Sequence, residues 1–315
     1  MKTVNLSYPL TAGIIEENAG PQIAAIGQFD GVHQGHASVI TSAVRLAQQK
    51  GIPSAVMTFH PHPKDVMKKG NYEGNLTPLQ EKQELLAAMG VDLLYVVEFS
   101  ESFSQLSPQA FVEGMLLTLG VQTAIVGFDF RFGHKGEGHA EMLRELGNGE
   151  MNVEIIPPFE QEGEKVSSSA IRKALQTGEL EEANRLLGHP YRLRGEVIDG
   201  DKRGRTIGFP TANLRIEDKF VVPAKGVYAV RSLVQGKWLS GVMNLGVKPT
   251  FQEGVTAPSF EVHLLDFDRD IYGEQLTVEL ISYIRPERKF PSIQELIAQI
   301  QADADTARRI LDSSK

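Results

Sequence analysis

Between Gly27 and His36 the chain reads GQFDGVHQGH, with glycines at 27, 31 and 35, histidines at 33 and 36, and an aspartate at 30. Gly27, Gly31 and Gly35, with Phe29 between the first two, would let main-chain N–H groups approach a ligand closely. A helix opening near Gly35 would turn its positive end to the same spot. That combination suits a phosphate, and His33 and His36 add side-chain donors that can follow charge developing in a transition state. Two other readings stand beside it. His33, His36, His60 and His62 have the types of a zinc site, and Asp30 is either part of the chemistry or a loop fastener that accepts main-chain N–H bonds.

Two later stretches bear the same kind of residue. VGFDFRFGHKGEG offers Asp129 and Arg131 beside a glycine-rich turn, and VSSSAIR opens a helix with Ser167, Ser168 and Ser169 and places Arg172 on its first turn. A serine-rich helix start followed by an arginine is a second place for phosphate oxygens. There is no GxxxxGK[ST], and no GxGxxG opens a helix after a strand, so neither a P-loop nor a dinucleotide fingerprint is present.

Composition narrows the field. A net charge of -8 argues against a nucleic-acid groove, which needs a cationic footprint, and the absence of cysteine excludes disulfides, thiolate catalysis and cysteine zinc sites. No run has the length of a membrane span, and the N-terminus lacks a signal-peptide core, so a cytoplasmic protein acting on small molecules, without membrane or nucleic-acid partners, is expected. Neither composition nor motif bears on oligomeric state. At 315 residues two domains are expected, 1–188 and 189–315, with a linker near Gly188 to Arg194.

The elements that must position these residues follow from periodicity. QIAAIG, SAVMTF, DLLYVVEF, TAIVGFDF and NVEIIPPF read as five strands alternating with helical segments, the grammar of a parallel α/β sheet. Thr77 and Ser107 each precede a proline and read as helix caps, with Gln80 completing a capping box after Thr77. Ser292 opens a final helix in the same way. Beyond residue 190 the runs GVYAVRSLV, WLSGVMNLGV, SFEVHLLDF and LTVELISYI, broken by Gly, Asp and Pro, predict a closed or nearly closed antiparallel β domain.

GQFDGVHQGH resembles the signature of the nucleotidylyltransferase superfamily at all its marked positions. The resemblance implies a Rossmann-like parallel sheet and attack on the α-phosphate of a nucleoside triphosphate, with VSSSAIR as a second phosphate motif. RGRTIGFPTANL, KGVYAV, NLGVKPTF and FEVHLLDFDRDIYG resemble the riboflavin kinases in order and spacing, which implies a Greek-key β-barrel. The two together resemble the bifunctional bacterial FAD synthetases from about residue 5 to 311.

That resemblance implies phosphorylation of riboflavin to FMN by the C-terminal half and AMP transfer from ATP to FMN, giving FAD and pyrophosphate, by the N-terminal half. It implies Glu261 as the catalytic carboxylate and Thr211 and Asn213 as the pair that binds the Mg2+ nucleotide. Gly204 and Gly208 then lie in a loop over ATP, and His62, Asp129, Arg131 and Asn244 contact flavin. By alternation alone, Glu261 reads equally well as a solvent-facing strand residue. Ser169, Leu245 and Lys248 depart from the commoner threonine, isoleucine and arginine; Lys248 keeps charge without the planar fork.

Overall fold

The computed structural model describes residues 1–68, 72–200, 204, 207–249 and 256–313. Lys202, Arg203, Arg205 and Thr206 of KRGRTIGFP, and the side chain of Lys248, lie outside the described residues. The chain forms two compact units, Met1–Ser167 and Ser168–Lys315.

Along the first unit the strands are β1 (Lys2–Leu6), β2 (Gln22–Ile26), β3 (Ser54–His60), β4 (Leu93–Glu98) and β5 (Val121–Gly127). A two-residue ribbon of β6 (Arg131–Phe132) and β7 (Gly138–His139) follows, then β8 (Asn152–Ile156), and a second ribbon of β9 (Glu160–Gln161) and β10 (Glu164–Lys165). Six of them form one parallel sheet in the order β1-β4-β3-β2-β5-β8. The five expected strands are there, joined by β1 at an edge. Every residue of β2 is buried, because helices cover both faces, as a parallel sheet requires.

The helices are α1 (Ala12–Asn18), α2 (Gln34–Lys50), α3 (Pro63–Val66), α4 (Leu79–Ala88), α5 (Pro108–Phe111), which runs on into a π-helical turn at Val112–Leu117, and α6 (Ala140–Leu146). Alternation along β2 divides the core. Ala24 and Ile26 face Phe111, Met115 and Leu116, while Ile23 and Ala25 face Val39, Ile40 and Ala43 of α2. Ser107 caps α5 as expected, its hydroxyl accepting from the N–H of Ala110. Thr77 does not cap α4: Pro78 takes the cap position, and the Thr77 N–H donates to Asp30 instead.

The second unit begins with α7 (Ser168–Thr177) and α8 (Leu180–Leu187), followed by β11 (Tyr191–Ile198), β12 (Ala212–Arg215), β13 (Gly226–Val234), β14 (Lys237–Pro249), β15 (Thr256–Leu264), β16 (Gln275–Arg285) and α9 (Ile293–Ser313). The six strands close into an antiparallel barrel, β11-β12-β15-β14-β13-β16. Placing β16 beside β13 after two successive hairpins is the Greek-key connection. The stretch expected as a linker is barrel strand from Tyr191 onward, and the boundary expected at 188/189 falls inside the second unit. The cause is α8, whose Asn184 side chain donates to the Leu280 carbonyl and accepts from the Tyr191 N–H.

On the barrel exterior α9 packs Ala304, Ala307 and Leu311 against Val227, Ala229 and Val242, and Arg285 pairs with Asp303 of α9 at 2.8 Å. Ser292 caps this helix, accepting from the Glu295 N–H at 3.2 Å. Among the described residues, no helix is long and apolar enough to cross a membrane.

Candidate functional site

β2 and β5 are neighbours, yet β3, β4 and β1 lie beyond β2 while β8 lies beyond β5. Strand order reverses between them, and the carboxyl ends of strands at such a switch point form the natural ligand crevice of an open α/β sheet. GQFDGVHQGH follows β2, Phe128 to Arg131 follow β5, and Pro61 and His62 follow β3, which ends at His60. The sequence-predicted Asp129, Arg131 and His62 therefore share one sheet edge with His33 and His36.

His33 is the N-cap of α2, its Nδ1 accepting from the His36 N–H at 3.2 Å. With Nδ1 accepting, the proton of the neutral ring resides on Nε2. The two imidazoles stack with centroids 3.6 Å apart, and Phe29 meets the His36 ring edge-on. A side chain at Gly35 would approach the His33 ring to 3.2 Å, so this glycine admits the stack. Burial lowers the His33 pKa to about 4 against the opposing pull of Asp30, and burial with His33 beside it pushes His36 well below the ordinary range. Both rings are therefore neutral donors at pH 7. His36 Nδ1 is buried with no hydrogen-bond partner among the described residues.

Asp30 is a loop fastener: its Oδ1 accepts from the N–H groups of Leu76 at 2.8 Å and Thr77 at 3.3 Å. Asp30→Ala would strand both donors in the interior and lower the stability of the first unit by about 2–4 kcal/mol, read as a drop in its thermal unfolding midpoint. As for zinc, His33 and His62 each use Nδ1 to accept a main-chain N–H, the latter from Lys64. Among the described residues no group of three or more His, Asp or Glu is placed to hold a metal ion.

Asp129 is paired with a residue the sequence reading missed, Lys165, at 2.7 Å; the Lys165 ammonium also lies 4.3 Å from the Phe128 ring centroid. Its position immediately before VSSS was the available signal. A second missed residue is Lys82, buried in α4 and bonded to the Gln28 carbonyl. Ser167 closes the first unit, while Ser168, Ser169 and Arg172 lie on α7 in the second, where Arg172 donates to the Ser168 carbonyl at 3.4 Å.

In the barrel, Asn213 stands opposite Glu261, and Glu261 stands opposite Asn244. Direct cross-strand partners share a face. Because Phe260, Val262 and Leu264 fill the interior, the row Asn213–Glu261–Asn244 lies on the barrel exterior beside the part covered by α9. Thr211 lies just outside β12, two residues before Asn213. Thr211 also lines a pocket of ≈ 220 Å³ with Val197, Val262, Leu264, Phe267 and Tyr272.

The loop before β12 is anchored from β15 by a residue that sequence reasoning did not single out. His263, two residues from Glu261, bonds through Nδ1 to the Pro210 carbonyl at 2.7 Å and meets the Phe209 ring edge-on. Gly204 accepts from the N–H groups of Ile207 and Phe209, and a Cβ there would come within 2.2 Å of the Phe209 carbonyl. Gly208 has φ +89°. A Cβ at Gly200 would sit 2.1 Å from the Asn213 amide. Gly200→Ala would therefore displace that side chain and lower the efficiency of whatever reaction this row performs by about tenfold or more, with the thermal midpoint unchanged.

Comparison with known proteins adds the following. The family described as FAD synthetase matches residues 15–170, and the family described as riboflavin kinase matches residues 187–311. A bifunctional riboflavin kinase/FMN adenylyltransferase of Listeria monocytogenes is 46% identical, over 98% of this chain and 98% of the relative. The one of Bacillus subtilis is 44% identical, with the same coverage of both. A crystal structure described as a macrolide-efflux protein from Streptococcus pneumoniae superimposes with a TM-score of 0.86 at 33% identity, over 97% of this chain and 98% of that one.

Proposed function

The chain belongs to the bifunctional riboflavin kinase/FMN adenylyltransferase family, and on that premise we propose that the two residue sets just described each run one of its two reactions. The enzyme phosphorylates riboflavin to FMN with ATP, and transfers AMP from ATP to FMN, releasing pyrophosphate and giving FAD. Efflux, in the description of the pneumococcal chain, is not carried over, because the curated relatives matching nearly the whole chain are named for the two transferase activities.

FMN brings its own anionic nucleophile. Its phosphate oxygen attacks the α-phosphorus of ATP, the bond to the bridging oxygen breaks, and pyrophosphate leaves. No strong base is required; the step calls for positioning and for donors aimed at crowded phosphates. The loop from Gly27 to His36 supplies N–H groups and two neutral imidazoles for that purpose. We assign Ser167, Ser168, Ser169 and Arg172 to phosphate binding as the resemblance implies, and His62, Asp129 and Arg131 to the flavin.

Riboflavin is a neutral alcohol, and its phosphorylation profits from a base at the hydroxyl. Glu261 takes that proton as the oxygen attacks the γ-phosphorus and ADP leaves. Asn244, its cross-strand neighbour, orients the flavin, and Gly204 and Gly208 let the preceding loop approach ATP. Thr211 and Asn213 offer neutral hard oxygens beside a carboxylate, a donor set that fits Mg2+ already held by phosphates. When bound there, the ion supplies neutralisation of charge at the transferring phosphate. As functional halves we place the boundary at 188/189, supported by the riboflavin kinase match beginning at 187.

The observation that carries this assignment is the row Asn213–Glu261–Asn244, three family-type residues in register on one barrel face, while the histidine loop sits at the switch point of the other unit. The test is incubation of the purified chain with riboflavin, ATP and Mg2+ and chromatographic separation of the flavins over time. FMN rises first and FAD follows. FMN alone would confine activity to the barrel and remove the role given to the histidine loop.

A further inference from the structure

The loop that carries the two histidines folds against its own backbone preferences. Phe29, Gly31 and Val32 all have positive φ, at 47°, 99° and 43°, a strained region for phenylalanine and above all for valine. One segment, 76–82, grips it on both sides of Phe29. On one side the N–H groups of Leu76 and Thr77 hold Asp30. On the other, Lys82 of α4 donates through Nζ to the Gln28 carbonyl at 2.7 Å and to Thr58 Oγ1 at 3.2 Å, and the Thr58 hydroxyl donates to the same carbonyl at 2.9 Å.

We propose that Lys82 is a positioning residue for adenylyl transfer: its buried ammonium holds the loop through Gln28 and places positive charge beside the histidines that receive the triphosphate. This rests on the assignment of adenylyl transfer to the histidine loop. Lys82 is only 4% exposed, and a fully desolvated cation is unfavourable in a purely structural role that a neutral side chain fills more cheaply. Its charged and titratable surroundings are Asp30 from the loop and His36 from α2; β3 contributes the neutral Thr58. Burial lowers its pKa to about 8 against the pull of Asp30. Burial first, then His33, then the Lys82 charge lower the proton affinity of His36, so that ring stays a neutral donor.

The experiment compares the full-length chain with Lys82→Met and Lys82→Arg. It measures kcat/KM for FAD formation from FMN and ATP from about pH 6 to about pH 9.5, and riboflavin phosphorylation on the same preparations as a control for intact protein. In the unaltered chain, FAD formation falls above a pKa of about 8. Lys82→Met lowers it by about ten- to a hundredfold at neutral pH and abolishes the alkaline limb. Lys82→Arg regains part of the rate and moves the limb out of range.

A limb that persists in either variant, its absence from the unaltered chain, or an unaltered rate in Lys82→Met would overturn the proposal. If Lys82→Met proves too unstable to assay, the unaltered chain and Lys82→Arg decide by the same criterion. Retention of FAD formation in His36→Asn would instead defeat the underlying assignment, whatever Lys82 does.

Discussion

His36→Asn lowers FAD formation from FMN and ATP by about a hundred- to a thousandfold, while riboflavin phosphorylation proceeds at the rate of the unaltered chain. His36 stacks on His33, meets Phe29 edge-on and has a buried Nδ1 without a partner among the described residues. On the proposed assignment, a ring so placed contributes through donors aimed at charge that builds on phosphate oxygens. Asparagine retains a donor but neither the reach nor the stacked plane. The second reaction is untouched because none of its assigned residues belongs to the first unit. Parallel assay of both activities on one preparation checks this, and equal loss of both would show that the two chemistries are not separable by residue.

Glu261→Gln gives the mirror result. FMN formation falls by about a hundred- to ten-thousandfold, the range for removing a general base, and FAD formation from supplied FMN stays at the unaltered rate. Glutamine preserves size and hydrogen-bonding ability while removing the proton acceptor. Glu261 projects from the barrel exterior rather than its core, so the substitution leaves Phe260, Val262 and Leu264 packed as before. The thermal midpoint should therefore hold, and a fall in activity accompanied by unfolding would transfer the effect from chemistry to structure.

How much of this the sequence disclosed varies with the physics of each element. The strands of the parallel sheet were legible because burial on both faces writes unbroken apolar runs, as in QIAAI. β1 was not, because an edge strand of five residues with only Val4 and Leu6 buried carries too short an alternation. β11 alternates strictly, Tyr191, Leu193, Gly195 and Val197 inward, yet its Arg192 and Arg194 and the preceding Gly-His-Pro gave it the look of a linker. Thr77 followed the rule for a cap, but its N–H had a long-range use, fastening Asp30, that local sequence does not encode.

The sites show the same division. Residue types alone made GQFDGVHQGH a candidate phosphate loop, and the riboflavin assignment came from resemblance. Among the residues that support those motifs, Lys82 lies 54 positions from the carbonyl it holds, and His263 lies 53 from Pro210. No local pattern marks such partners; only the folded chain brings them together.

Mixing the two variants tests the central claim most directly. Neither His36→Asn nor Glu261→Gln alone should carry riboflavin through to FAD at an appreciable rate. Combined in one solution with riboflavin, ATP and Mg2+, they should produce FMN first and then FAD, the first variant supplying FMN to the second. A mixture that yields no FAD from riboflavin, although each variant retains its own half-reaction, would contradict two independent sites joined by a released intermediate.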